Sequence, residues 1–153
     1  MQQTVHVQKI PDEPILIVIN RGILSPTTYD FRRTCAAIAE ALETHIMPFA
    51  YLISDDRELT IPDFDSLAEV LVNAIQTVHG PGSPSDPRIR GGAIVSSHAG
   101  LKIWSELLAE KELHNLLMPV FDDVDDALAY VYNLVAQRGA AAEKPPVTSA
   151  AKP

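Results

Sequence analysis

The sequence predicts an α/β fold in which an N-terminal β-hairpin leads into βαβαβα units and a mostly parallel sheet. Three observations predict it. The run Ile15-Leu16-Ile17-Val18-Ile19 is unbroken and largely β-branched, the pattern of a strand buried on both faces. Further short apolar runs follow at Phe49-Ala50-Tyr51-Leu52-Ile53, Ala93-Ile94-Val95-Ser96 and Leu117-Met118-Pro119-Val120-Phe121. Between them, apolar residues recur at helical spacing. Strands alternating with helices run parallel, with right-handed crossovers.

Val5 to Gln8 reads as a short first strand, and the turn chemistry of Lys9 to Pro14 joins it to the Ile15 run as a hairpin. Ser25-Pro26-Thr27-Thr28 starts the first helix: Thr27 and Asp30 approximate a capping box, and Pro26 suits a first turn. Phe31, Cys35, Ile38 and Leu42 share one face, and Pro48 ends that helix near His45. The Phe49–Ile53 strand leaves through a loop, Ser54-Asp55-Asp56-Arg57. Pro62 or Asp63 opens a second helix with Phe64, Leu67, Leu71, Ile75 and Val78 on one face, and Gly80-Pro81 closes it. His79 to Gly92 is rich in Gly, Pro and Ser and reads as a mobile loop. A third helix carries Leu101, Trp104, Leu107 and Leu108. Pro119 puts the last strand at a sheet edge. The final helix turns Val124, Ala127, Leu128, Val131 and Val135 inward, with Asp122, Asp123, Asp125 and Asp126 at its positive end. One domain is expected over residues 1–138. Residues 139–153 have no periodicity or large apolar groups and are expected to be a disordered tail.

The 153 residues carry a formal net charge of -8, with 46% hydrophobic and 21% charged residues. That is globular composition. The acidity sets the chain against phosphate backbones, so nucleic-acid binding is not expected. No apolar run approaches the ~20 residues that span a bilayer, and the N-terminus lacks the basic-then-apolar order of a signal peptide. Cys35 is the single cysteine, which excludes an internal disulfide and a multi-cysteine metal site. A reducing, cytoplasmic location is the expectation.

The carboxyl ends of parallel strands gather along one edge, where such folds meet ligands and partners. That edge should carry Asn20-Arg21-Gly22, Ser54-Asp55-Asp56, Ser96-Ser97-His98 and Asp122-Asp123. The opening ILIVINRGILSPTTYDF is a strand, a glycine and a helix with an early aromatic and acid. The close VFDDVDDALAYVYNLV is a strand, an acidic cap and a helix bearing alanines. Together they resemble the STAS domains, and within them the stage II sporulation protein AA-like branch of anti-sigma-factor antagonists, over roughly Val5 to Gln137. The resemblance implies a sheet flanked by helices, no cofactor, and a non-enzymatic bacterial regulatory module. Its partner would be another protein (a kinase or an anti-sigma-like regulator) or a second copy of the chain. In the type members a serine opening the second helix, within Asp-Ser-Ser or Asp-Ser-Thr, is phosphorylated by a partner kinase. Here the matching stretch is Asp63-Phe64-Asp65-Ser66-Leu67, so Ser66 is the phosphorylation site the resemblance implies, with Leu67 in place of the second hydroxyl residue. Lipid-transfer domains share the fold outline, which leaves a carrier of a small apolar ligand as the alternative.

The partner-binding candidates are Arg21, Asp65, Ser66, Ser97 and His98. Ser96-Ser97-His98 places hydroxyls beside an imidazole. Adjacent residues rarely align Oγ with a ring nitrogen, however, and no Gly-x-Ser-x-Gly elbow is present. Strand-exit and capping chemistry accounts for them better, so a hydrolase is the third reading. Asp55, Asp56, Asp122 and Asp123 could hold a hard cation, but capping accounts for the acids from 122 on. No glycine-rich phosphate cradle exists, and Arg88-Ile89-Arg90 reads as a solvated loop rather than an anion grip.

Overall fold

Turn chemistry at Pro11 and Asp12 folds the chain back early: Asp12 takes a left-handed φ of 64°, and the Ile10 amide donates to the Ile15 carbonyl at 3.2 Å. The computed structural model describes residues 2–77, 79–83, 85–103 and 118–143. β1 (Thr4–Lys9) and β2 (Ile15–Ile23) form the expected antiparallel hairpin. α1 (Phe31–Glu43), β3 (Ala50–Thr60), α2 (Phe64–Thr77) and β4 (Ile89–Val95) follow. Residues 99–103 are helical (α3), and β5 (Val120–Phe121) and α4 (Val124–Glu143) complete the described chain. The sheet order is β1-β2-β3-β4-β5, with β2 through β5 parallel. The predicted hairpin and mostly parallel sheet are therefore present.

Alternation along the strands fills two layers. Leu16 and Val18 of β2 and Leu52 of β3 pack with Ile38, Ala41 and Leu42 of α1. Ile15, Tyr51, Ile53, Ala93 and Val95 face the other way, against Ala127 and Val131 of α4. The inward face expected for the final helix is thus the one it buries. A third cluster joins Leu24, Leu67, Val70 and Leu101. Because strand order never reverses, right-handed crossovers place α1, α2 and α3 on one face and leave the other to α4.

Several boundaries differ from the sequence reading. α1 begins at Phe31 and not within Ser25–Thr28. Asp30 is its N-cap, accepting from the Arg32 amide at 3.0 Å, while Ser25 and Thr28 tie their hydroxyls into a separate turn. Ser54-Asp55-Asp56-Arg57 is strand, because β2 also continues through Asn20-Arg21-Gly22 and the two remain paired to Ile23↔Thr60. His79–Gly92 contains a built turn. The carboxylate of Asp86, only 3% exposed, accepts from the Gly82 amide at 2.7 Å and from the Arg88 guanidinium at 2.8 Å. Gly82 (φ 74°) sits so close to α1 that any Cβ would strike the Cys35 carbonyl. β4 accordingly starts at Ile89, and its register slips between Ala50 and Leu52 of the partner strand. Gly91 (φ 135°) supplies that bulge. Arg88 is held by Asp86, and Arg90 stacks on Phe49 at 4.1 Å, so neither is a solvated loop cation. α4 continues to Glu143, past the expected domain end at 138, through an Ala140-Ala141-Ala142 run of high helix propensity. Residues 144–153 of the expected tail, and Trp104, Leu107, Leu108 and Val78, lie outside the described residues.

Two outcomes test this packing. The stripe of α2 centres on Leu67, fully buried, with Leu71 only half-buried. Leu67→Ala should cost about 2–5 kcal/mol and Leu71→Ala distinctly less, read from denaturant midpoints. The hydroxyl of Tyr51 is buried without a hydrogen-bond partner among the described residues. Tyr51→Phe should leave stability unchanged or raise it by about 1 kcal/mol in the same measurement, since an unsatisfied buried group carries its full desolvation penalty. A loss above that size would mean the hydroxyl has a partner.

Candidate functional site

The sequence-predicted residues fall into two places. Asp63, the residue immediately before α2, accepts from the Ser66 amide at 2.7 Å and from the Ser66 hydroxyl at 3.3 Å. Ser66 is therefore the third residue of a capped helix, and Asp65 beside it is exposed. Past β4, the Ser96 hydroxyl, 3% exposed, accepts from the His98 amide at 3.1 Å, and His98 Nδ1 accepts from the Gly100 amide at 3.0 Å. These bonds make a tight turn into α3, with Ser97 exposed at its corner. A Cβ on Gly100 would lie 3.0 Å from Leu67 Cδ2 and 2.9 Å from His98 Cε1. The His98 turn is thus packed against α2 at Leu67, the residue after Ser66. Arg21 stands elsewhere, on the β2–β3 extension, where Nε donates to Glu58 at 2.9 Å with both side chains exposed. Among the described residues, no hydrogen bond or ion pair joins Arg21 to Ser66 or His98.

This geometry does not assemble a nucleophile and base. The Ser96 hydroxyl and His98 Nδ1 are each engaged by backbone amides of the turn, and the described residues place no hydrogen bond between a serine hydroxyl and the His98 ring. The four acids serve four separate ends. Asp55 is bonded by Arg57 at 2.8 and 2.9 Å, Asp56 belongs to an interior cluster, Asp122 pairs with Lys102 at 3.0 Å, and Asp123 caps α4 through the Asp126 amide at 2.8 Å. A cleft of about 490 Å³ opens on the α1 entrance, lined by Gln2, Gln3, Thr27, Thr28, Arg32 and Arg33 among others. Its polar walls do not suit an apolar ligand.

The interior cluster was not singled out from sequence. Asn20 Nδ2 donates to Asp56 Oδ1 at 2.8 Å and to Ser54 Oγ at 3.2 Å, and Ser54 Oγ donates to Asp56 Oδ1 at 2.9 Å. Thr34 of α1 donates to Asn20 Oδ1 at 3.3 Å, and the Tyr29 hydroxyl lies 3.2 Å from Thr34 Oγ1. Burial pushes the Asp56 carboxyl up to about 6 against the opposing effect of the Asn20 and Ser54 bonds, and the charge of Asp55 adds to the rise. Asp55 goes the opposite way: the Arg57 guanidinium lowers it against partial burial. Burial also raises the Tyr29 phenol strongly and pushes the Cys35 thiol up to about 11, which makes Cys35 a packing residue rather than a nucleophile. The one sequence signal for the cluster was polar residues continuing two strong strand patterns.

Among solved structures, the chain is similar to an uncharacterised protein of the DUF3478 family from Shewanella loihica PV-4, described as having a SpoIIAA-like fold. The identity is 16%, the TM-score 0.52, and the match covers 84% of this chain and 93% of that one. The fold is SpoIIAA-like. An anti-sigma factor antagonist from Mycobacterium paratuberculosis also aligns, at 15% identity and a TM-score of 0.44, over 86% of this chain and 95% of that one. No family model and no curated relative matches the sequence. No helix among the described residues is long and apolar enough to cross a membrane.

In this SpoIIAA-like fold, the roles of Asp63 and Ser66 separate by mutation. Asp63→Ala removes the acceptor for the Ser66 amide and should lower stability by about 0.5–2 kcal/mol, whereas Ser66→Ala should change it by less than about 0.5 kcal/mol. Thermal midpoints of the two variants check this, and an equal loss in both would assign Ser66 a structural role instead.

Proposed function

We propose that the chain is a non-enzymatic protein-interaction module of regulatory type, and that its recognition surface is the α2 entrance with the adjoining His98 turn. One observation carries the reading. The α2 entrance with Asp65 and Ser66 adjoins the Ser97–His98 turn through Leu67 and Gly100, and the Ser66 hydroxyl is tied to Asp63 while the Ser96 hydroxyl and His98 Nδ1 are tied to turn amides, not to each other. Such a surface offers shape and polar edges to a partner without offering a reaction centre. The SpoIIAA-like fold supports the same class. Arg21 and Glu58 would act as a separate, salt-sensitive rim contact.

Ser66 is the residue through which we propose that binding is regulated. A phosphoryl group there gains from the positive end of α2, worth about 0.3–1 kcal/mol, and loses through repulsion from Asp63 and Asp65. The fold should therefore survive while the surface gains a charge that a docked partner must desolvate. The candidate partners are a kinase or an anti-sigma-like regulator. Calorimetry with purified partner should give similar affinity for wild type and Ser66→Ala and about tenfold or greater weakening for Ser66→Asp, a difference of ~1.4 kcal/mol. Equal affinity for all three proteins would reject regulation at Ser66, and failure of every such partner to bind would reject the module reading itself.

A further inference from the structure

Asp56 and Asp55 are adjacent in β3, yet their surroundings are opposite in kind. Asp55 receives both nitrogens of the Arg57 fork. Asp56 points to the other face of the sheet, half-buried, and its bonded donors are neutral: the Asn20 amide and the Ser54 hydroxyl. The register between β2 and β3 slips at this level, between Ile19 and Arg21, so one residue of β2 opposes an extra residue of β3. Bulges of this kind re-aim side chains. From Asp56 the hydrogen bonds run in one direction, through Asn20 and Thr34 to Tyr29, and so connect β3, β2, α1 and the segment before α1.

We propose that Asp56 and the amide–hydroxyl chain ending on it form a proton-sensitive latch, which holds the 24–30 segment and the first turn of α1 on the sheet while the carboxyl is neutral and loosens them when it ionises. The physical ground is that two neutral donors do not compensate for drawing a charge partly out of water beneath the 24–30 segment. The other ionisable groups around the site do not supply the missing positive charge. On β3, Asp55 adds like charge and Arg57 is committed to it. On β2, Arg21 is bonded to Glu58 at the surface. On the 24–30 segment, Tyr29 is held neutral by burial and Asp30 is paired with Arg32. On α1, Cys35 is a neutral thiol whose raised titration lies far above this range, and on α2, Asp65 and Glu69 are exposed acids.

The sign follows from comparing closed and open segments. Closed, the Asp56 carboxyl is pushed up to about 6. Open to water, it returns to about 3.9, the ordinary value. The proton therefore binds the closed form better. Closure is favoured fully at low pH, weakens as pH climbs from the ordinary carboxylate range to about 6, and levels off above that.

Amide exchange on the full chain tests the latch. The Leu24, Tyr29 and Asp30 amides are hydrogen-bonded to the Thr60 carbonyl, the Ser25 carbonyl and Gln3 Oε1. Their protection factors, corrected for the intrinsic pH dependence of exchange, should fall by about tenfold from roughly pH 5 to roughly pH 7 in the wild type, about one pKa unit of linkage. In Asp56→Asn the side-chain oxygen still accepts both bonds but cannot ionise, so protection should stay high at both pH values. In Thr34→Val the chain to Tyr29 is cut, so protection of the Tyr29 amide should be lower than in the wild type at both pH values. An Asp56 carboxyl titrating in the ordinary range, or the same pH response in wild type and Asp56→Asn, would overturn the latch. If Asp56→Asn does not fold, the wild-type carboxyl titration and exchange profile decide alone.

Discussion

β2 and β3 stay hydrogen-bonded well beyond the stretch that the helices cover with apolar side chains, and much of the molecule is arranged around that pairing. Along the α1 face, alternation runs Leu16, Val18, Asn20 on one strand and Leu52, Ser54, Asp56 on the other. The face changes from hydrocarbon to polar atoms without leaving the sheet. Polar side chains under a helix must be satisfied from within, so each must find a partner among its strand neighbours or in the helix above. Thr34 supplies the helix's contribution because α1 begins at Phe31, which sets Thr34 in its first turn. Starting the helix at Thr27 or Thr28 would add turns just where the segment has to bend and bring Tyr29 down to Thr34.

The apolar half of that pairing could be read from sequence and the polar half could not. Ile15–Ile19 and Phe49–Ile53 announce themselves as buried strands, and the outcome follows the pattern closely. Ser54-Asp55-Asp56-Arg57 reads as a loop because each residue alone favours one. Its strand character comes from the backbone of β2, and Ser54 and Asp56 find their partner in Asn20, 34 and 36 positions away in the chain. A distance of that kind leaves no local mark. The first helix start failed for another reason: Thr27, Thr28 and Asp30 are all good cap residues, and only the tertiary pull on Tyr29 decides among them. Asp86 shows the same limit. Its neighbours Gly82, Ser83 and Arg88 look like loop composition until a buried carboxylate organises them.

The candidate surface was more legible than the interior cluster, since caps are local. Asp63 with Ser66, and Ser96 with His98, are bonded across three residues or fewer, and their sequences carry the signal. What the sequence did not provide was their proximity, which depends on α2 and the entrance to α3 meeting at Leu67 and Gly100. Grouping Arg21 with them requires β2 to end at Ile19, with Asn20-Arg21-Gly22 beyond it. Because β2 continues, Arg21 sits in a strand opposite Glu58 and not on a loop beside α2.

The sheet order bears on what kind of function such a fold can host. In doubly wound sheets, ligands settle where strand order reverses and adjacent crossovers diverge. Here β2 to β5 follow one another without reversal, so neighbouring crossovers share a face and no crevice of that origin opens. The turns at the carboxyl edge close over their own amides instead. Among the described residues, that edge is a surface of capped turns, the one proposed above for recognition. The ionisable group with the most unusual surroundings lies not on that surface but behind it, among Asn20, Ser54 and Thr34. A change in its charge would have to act by altering how the covering segment sits, because its hydrogen bonds lead inward to α1 and Tyr29 and not outward to the α2 entrance.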